Sequence, residues 1–167
     1  MSVGRSYSAA VQYQKGALKT SLGYYNVNNA TGTAASYGTM LAANYNLGPV
    51  IVHGDIERVR SDLNGVPGVT KQDTNVNIYS LGAKVPLGNH TIFGAVTHVQ
   101  DERSIANANA KATHMALGYN YQLSKRTNLY TSVGEINNRN GAQYQIINAT
   151  TPAYGQFGFD MGIRHMF

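Results

Sequence analysis

Alternation of apolar and polar residues, in runs of about ten, is the feature that most limits how this chain can fold. The clearest run is THMALGYNYQL (residues 113–123), with apolar or aromatic residues at the odd positions from Met115 onward and small or polar residues between them. Similar runs are YSAAVQYQ, LKTSLGYY, YGTMLAANYNL and GFDMGIRHMF, and less regular ones are VIVHGDIERV, NIYSLGAKVPL and TIFGAVTHV. Such alternation places successive side chains on opposite faces of a β-strand. No segment shows apolar residues at helical spacing with caps, so the sequence predicts an all-β fold.

The connectors between these runs alternate in length. Short turns are predicted at residues 15–16, 47–49, 87–89 and 124–126, and longer polar loops at 28–35, 61–74, 102–109 and 138–155. This rhythm is typical of an antiparallel up-and-down barrel, and in transmembrane barrels it puts short turns on one side of the membrane and long loops on the other. We expect about nine strands in a single domain spanning residues 1–167.

The two sides of the predicted strands favour lipid on one side and water on the other. The apolar side ends in tyrosines near strand termini (Tyr13, Tyr45, Tyr119 and Tyr121), as an aromatic girdle at a membrane interface does. The opposite side carries Gly, Ala, Ser, Asn, Gln and His, which suit a wet lumen better than a dry core. The alternative is a soluble β-barrel in which tyrosine merely fills strand positions.

Composition narrows the function classes. With no cysteine, the chain has no disulfide framework and no thiolate metal site. The thirteen Lys and Arg are scattered, so the net charge of +5 does not predict a nucleic-acid partner. No apolar stretch is long enough for a transmembrane helix. The opening MSVGRSYSAAVQYQ has no apolar core, so we expect no signal peptide in this chain.

Titratable residues on the polar side of the strands are the candidate functional residues. In a water-filled barrel such residues shape the field that passing ions cross, and a merely solvated role is the alternative. The pore-lining candidates are Lys19, His53, Asp55, Glu57, Lys84, His114, Asp160 and Arg164. Cations and carboxylates are nearly balanced in this set, so the overall positive charge does not predict anion selectivity.

Two residue patterns compete with this interpretation, one for a metal site and one for a hydrolase active site. His53, Asp55 and Glu57 alternate on one strand, but alternate side chains lie roughly 7 Å apart, too far to share one ion without neighbours. His98 and His114 lie on sequential strands, yet no Ser or Asp accompanies them in a recognisable hydrolase motif. We therefore predict no catalytic residue, no metal site and no cofactor.

Two segments resemble the end of a general Gram-negative outer-membrane porin of the beta-proteobacterial type. They are ALGYNYQLSKRTNLYTSVGEINNRNGA and the C-terminal GFDMGIRHMF, and the resemblance extends more weakly over the whole chain. The matching turn motif consists of Gly118, Tyr119, Tyr121, Leu123, Ser124, Lys125, Arg126, Thr127, Leu129 and Tyr130. The chain ends on Phe167, as strands that close such barrels do.

The resemblance implies a function and several partners. The expected function is passive diffusion of ions and small hydrophilic solutes through a water-filled channel in the outer membrane, without catalysis. The expected partners are outer-membrane lipid, two further copies in a homotrimer, and the barrel-assembly machinery, which would recognise the last strand. The residues of that assembly signal are Phe159, Met161, Ile163, His165 and Phe167.

The resemblance also implies a longer protein. Porins of this kind have sixteen strands, so about nine strands correspond to a C-terminal half. The loop that narrows the pore in the family comes from the first half. Two alternatives remain open: a complete small outer-membrane barrel acting as an enzyme or adhesin, and a soluble β-barrel that binds an apolar ligand. The first would have an even strand count, and the second a bulky apolar interior.

Overall fold

The computed structural model describes residues 4–29, 35–62, 74–102, 109–146 and 155–167. These residues form one antiparallel sheet in which each strand pairs with the next in sequence. The strands are β1 (Ser6–Lys15), β2 (Leu18–Asn28), β3 (Ala35–Asn46), β4 (Ile51–Asp62), β5 (Thr74–Leu87), β6 (His90–Asp101), β7 (Ala110–Ser124), β8 (Thr127–Arg139) and β9 (Phe157–His165). Within the described residues, β1 and β9 are the edges of the sheet and do not pair with each other. No helix in this part of the chain is long and apolar enough to cross a bilayer.

The nine predicted strands and the alternation of their connectors are confirmed. Short turns join β1 to β2, β3 to β4, β5 to β6 and β7 to β8, and we call this the short-turn end of the sheet. Gly16, Gly48 and Gly88 adopt positive φ in three of these turns, a conformation that glycine adopts without strain. We call the other end of the strands, where the longer loops join them, the long-loop end. Of its predicted loops, residues 30–34, 63–73, 103–108 and 147–154 lie outside the described residues.

Strand bounds differ from the predicted ones near the C-terminus. β8 continues through Arg139, so two residues assigned to the last loop are strand. β9 ends at His165 rather than at Phe167, although Met166 N still donates to Arg126 O at 2.9 Å. The Phe167 ring packs edge-on against His165, with centroids 4.9 Å apart. The alternation of GFDMGIRHMF therefore reflects strand geometry as far as His165. Beyond it, Phe167 is placed by the contact of its ring with His165.

The strand register collects most of the exposed large apolar side chains on one side of the sheet, which we call the apolar face. Its exposed members include Tyr7, Val11, Tyr13, Leu22, Leu41, Tyr45, Ile56, Leu81, Val96, Met115, Leu117, Val133, Phe159, Met161 and Ile163. Among the described residues only Ala110 and Ala112 are buried apolar side chains. A soluble domain rarely exposes so continuous an apolar surface, so this face requires an apolar environment.

Polar and aromatic rows bound the apolar face at its two ends. Toward the long-loop end, cross-strand partners on β4 to β8 form a polar row: Arg58, Asn77, Gln100, Lys111 and Arg139. Toward the short-turn end, Tyr119 and Tyr121 flank His90, and the Tyr119 hydroxyl lies 2.6 Å from His90 Nδ1. The apolar surface is thus a band with polar edges, as a lipid-facing barrel wall has.

Candidate functional site

All eight pore-lining candidates lie on the side of the sheet opposite the apolar band, which we call the polar face. Residues on this face form rows, because directly paired residues of neighbouring strands point to the same side. One row, the Asp55 row, runs from β4 to β7 through Asp55, Ser80, Thr97 and His114. Thr97 Oγ1 donates to Ser80 Oγ at 3.2 Å, so the row is hydrogen-bonded at its centre. Glu57 follows Asp55 on the same face of β4.

A second charged row lies nearer the short-turn end. This Lys84 row runs from β5 to β9 through Lys84, Phe93, Gly118, Ser132 and Asp160. The Ser132 hydroxyl donates to the Asp160 carboxylate. Arg164 lies farther along the same face of β9, and together with Asp160 it lines a depression of about 730 Å³ whose other walls include Asn128 and Tyr130. A cation and a carboxylate therefore border one water-accessible hollow.

Small residues separate the two charged rows. Between them, paired residues of β5 to β9 form the small-residue row: Gly82, Ala95, Ala116, Gly134 and Gly158. His53 pairs with Gly82, and its ring occupies the space that a Cβ at Gly82 would take. The small-residue row continues through His53 on β4 to Lys19 on β2. Lys19 pairs with Asn44 on β3, and Asn44 pairs with His53. The small residues of this row leave room for larger side chains to lie over it, as the His53 ring does at Gly82.

The register shows which of the residues in the two alternative patterns share a face of the sheet. His114 is on the polar face, whereas His98 is on the apolar face, where its Nδ1 lies 3.0 Å from Thr113 Oγ1. The two histidines therefore do not share a site. In the described part of the chain, no three His, Cys, Asp or Glu side chains are grouped as metal ligands, and this includes the set around Asp55. The polar face carries charged side chains of both signs.

Sequence reasoning missed two features of the polar face. Asp101, at the end of β6, is 2% exposed and was not among the candidates, because the alternation of TIFGAVTHV is too irregular to assign its face. Asn138 was assigned to a loop but is a strand residue of the polar face that binds the loop after it. A signal for this was available, since the Asn140–Gly141 pair is typical of a tight hairpin turn.

Comparisons with known proteins agree with this architecture. The family described as Gram-negative porin matches residues 2–141. Outer membrane porin protein 32 of Delftia acidovorans is 32% identical, and the match covers 99% of this chain and 47% of that protein. The solved anion-selective porin from Comamonas acidovorans superposes with a TM-score of 0.82 at 27% identity, over 99% of this chain and 50% of that one.

A more distant structure supports the fold alone. The outer-membrane OmpT of Vibrio cholerae has a TM-score of 0.76 at 15% identity, over 97% of this chain and 56% of its own. The chain thus spans about half the length of the relatives it matches. The fold of the sheet is the one these structures share. Because the family match extends over most of the sequence, the chain belongs to the Gram-negative porin family of outer-membrane β-barrels.

Proposed function

We propose that the nine strands form part of the wall of a water-filled channel through which ions and small hydrophilic solutes diffuse passively. The observation that carries this proposal is the division of one sheet into an apolar band and a face bearing all eight candidate titratable residues. A bilayer solvates the first surface and an aqueous lumen the second. The match to the Gram-negative porin family supports a channel, so we propose a channel and not an enzyme.

The pore-lining candidates belong to this proposal. Three cations (Lys19, Lys84 and Arg164) and three carboxylates (Asp55, Glu57 and Asp160) share the polar face with His53 and His114. Such a mixed surface gives this part of the wall little net preference for anions or cations. The Comamonas relative is described as anion-selective, and that property is not proposed for this chain.

The proposed partners include further strands at the two edges of the sheet, lipid, other copies of the protein and the assembly machinery. In lipid, unpaired backbone groups at a strand edge cost several kcal/mol each, so we propose that further strands pair with β1 and β9 in the intact barrel. Residues 1–167 would then be one domain's C-terminal portion. We further propose that lipid covers the apolar face and that the intact protein is a homotrimer. We also propose that assembly machinery recognises the C-terminal residues Phe159, Met161, Ile163, His165 and Phe167.

Planar-bilayer recordings of the outer-membrane protein that contains this chain test the channel. Lys84→Glu reverses one charge on the polar face and should shift the reversal potential toward cation preference. Lys125→Glu makes the same change in a short turn and is the matched control, with a smaller shift expected. An absence of ion conductance in the unmodified protein would refute the channel. Equal shifts for both variants would refute the assignment of Lys84 to the lumen.

A further inference from the structure

The depression of about 730 Å³ on the polar face is lined mainly by residues of β8 and β9, near the short-turn end of the sheet. Its volume is within the range of about 300–1,000 Å³ that small-molecule sites occupy. Asp160 and Arg164 both line it, and on the polar face of β9 only Gly162 lies between them. The depression therefore has a negative group and a positive group at different heights along the same strand.

The Asp160 carboxylate is held in place from the neighbouring strand. Ser132 pairs with Asp160, and its hydroxyl donates to Asp160 Oδ1. Among the described residues this hydroxyl is the only partner of the carboxylate, so no cation of the chain neutralises its charge there. The second carboxylate oxygen, Oδ2, can accept a hydrogen bond from the ammonium group of a solute.

The Arg164 guanidinium supplies the opposite charge. Four residues of strand separate its Cα from that of Asp160 by about 13 Å. Asn128, which pairs with Arg164, is neutral, and its amide donates to Asn120 Oδ1 on the next strand. No carboxylate in the described part of the chain forms a salt bridge with Arg164. Both charges of the depression are therefore free to bind a solute.

An aromatic ring lies between these two charges. Tyr130 pairs with Gly162, and a Cβ at Gly162 would lie 2.6 Å from the Tyr130 hydroxyl oxygen and 2.8 Å from Cζ. The ring therefore covers Gly162, and Tyr130 is still 38% exposed. An exposed aromatic ring offers an apolar surface on which the uncharged middle of a solute can pack.

We propose that this depression, which we call the Tyr130 subsite, binds short zwitterionic peptides. The ammonium group of the peptide binds Asp160, its carboxylate binds Arg164, and its backbone packs on the Tyr130 ring. A peptide spans about 3.5 Å per residue, so a dipeptide or tripeptide covers the part of the separation that the two side chains leave open. The inference rests on the proposed channel function and names one class of solute that the channel retains during passage.

Current block in planar bilayers tests the charge requirement of the solute. Alanylalanine should reduce the single-channel conductance of the outer-membrane protein that contains this chain, and the block should saturate. N-acetylalanine carries only the carboxylate, and alanine methylamide carries only the ammonium group, at similar size. Each should need a concentration roughly fivefold higher for half-maximal block, because it gains one ion pair instead of two and meets one like charge.

Single substitutions test the location of the subsite. Asp160→Asn and Arg164→Gln should each raise the half-blocking concentration of alanylalanine roughly fivefold. Tyr130→Ala should raise it roughly threefold, whereas Tyr130→Phe keeps the ring and should leave it unchanged. The matched controls are Asp55→Asn and Lys19→Gln, which neutralise the same charges elsewhere on the polar face and should change it less than about twofold.

The outcomes separate the subsite from the channel. No block by alanylalanine, or equal block by the three solutes, overturns the zwitterion subsite. Block that neither Asp160→Asn nor Arg164→Gln weakens, or that Asp55→Asn weakens equally, overturns its location in this depression. In these cases a reversal-potential shift in Lys84→Glu leaves the channel standing. An unmodified protein that conducts no ions overturns the subsite together with the proposed function.

Discussion

The two faces of this sheet are built from the same nine strands, yet they are packed in opposite ways. On the apolar face the largest side chains, such as Leu117 and Phe159, point outward and are more than half exposed. On the polar face the centre is a row of Gly and Ala, and larger groups such as the His53 ring lie over it. A protein that buried its core would place the bulky residues inside. This contrast between the two faces shows that the sheet is built to face an apolar solvent on one side and a polar one on the other, and not to enclose a hydrophobic core.

The largest expected effect comes from placing a charge on the wrong face. Leu22 is on the apolar face of β2, 51% exposed between Val11 and Leu41. Leu22→Arg should lower the free energy of unfolding from lipid vesicles by about 2–4 kcal/mol, the penalty for a cation deep in the bilayer. Ser21→Arg, one residue away on the polar face, should change it by less than about 1 kcal/mol. Urea titration of both variants in vesicles measures the contrast, and equal losses would mean that the two faces meet the same solvent.

A second pair of variants separates crowded from open parts of the polar face. A Cβ at Gly118 would overlap the Phe93 ring, whereas a Cβ at Gly23 would have no atom within 4 Å. Gly118→Ala should destabilise the barrel by about 1–3 kcal/mol through this overlap. Gly23→Ala should be neutral or stabilise by up to about 1 kcal/mol, because alanine loses less backbone entropy in a strand.

Urea titration in vesicles measures the free energy of unfolding of Gly118→Ala and Gly23→Ala. The Phe93→Ala variant tests whether overlap with the Phe93 ring causes the loss in Gly118→Ala. If the overlap is the cause, Gly118→Ala should cost much less in the Phe93→Ala background than in the unmodified protein. A cost that does not change in that background would assign the effect to the backbone and contradict the packing explanation.

The strands, and the faces of the regular runs, were predictable from sequence because one physical rule sets both. A regular run alternates between a lipid side and a water side, so Met115 and Leu117 identify the apolar face of β7 without knowledge of its neighbours. The relative placement of His98 and His114 was not predictable. Their strands are joined by a long loop, whose length does not set the pairing register. Only the pairing of His98 with Thr113 shows that the two histidines face opposite ways.

The path of residues 142–146, which contact Asn138, Gly134 and Gly158 on the polar face, was missed for a different reason. A long polar stretch after a strand reads as a solvent-exposed loop, and nothing local says which way it folds. Its direction depends on contacts between distant residues: the Asn138 amide with Tyr144, and Ile146 with Gly158. Those contacts are a property of the assembled sheet, since Gly134 and Gly158 become neighbours only when β8 pairs with β9.

The smallest expected effect lies at the short-turn end of the apolar face, where Tyr119 and Tyr121 both contact His90. Both rings stack on the His90 imidazole, with centroids 5.9 Å apart for Tyr119 and 4.8 Å apart for Tyr121, and the Tyr119 hydroxyl also lies 2.6 Å from His90 Nδ1. Tyr119→Phe removes a hydrogen bond and should lower the free energy of unfolding by about 0.5–1.5 kcal/mol. Tyr121→Phe keeps the stacking and should change it by less than about 0.5 kcal/mol. The reverse order in vesicle unfolding would show that the Tyr121 hydroxyl contributes more to this edge of the band than the contact between the Tyr119 hydroxyl and His90.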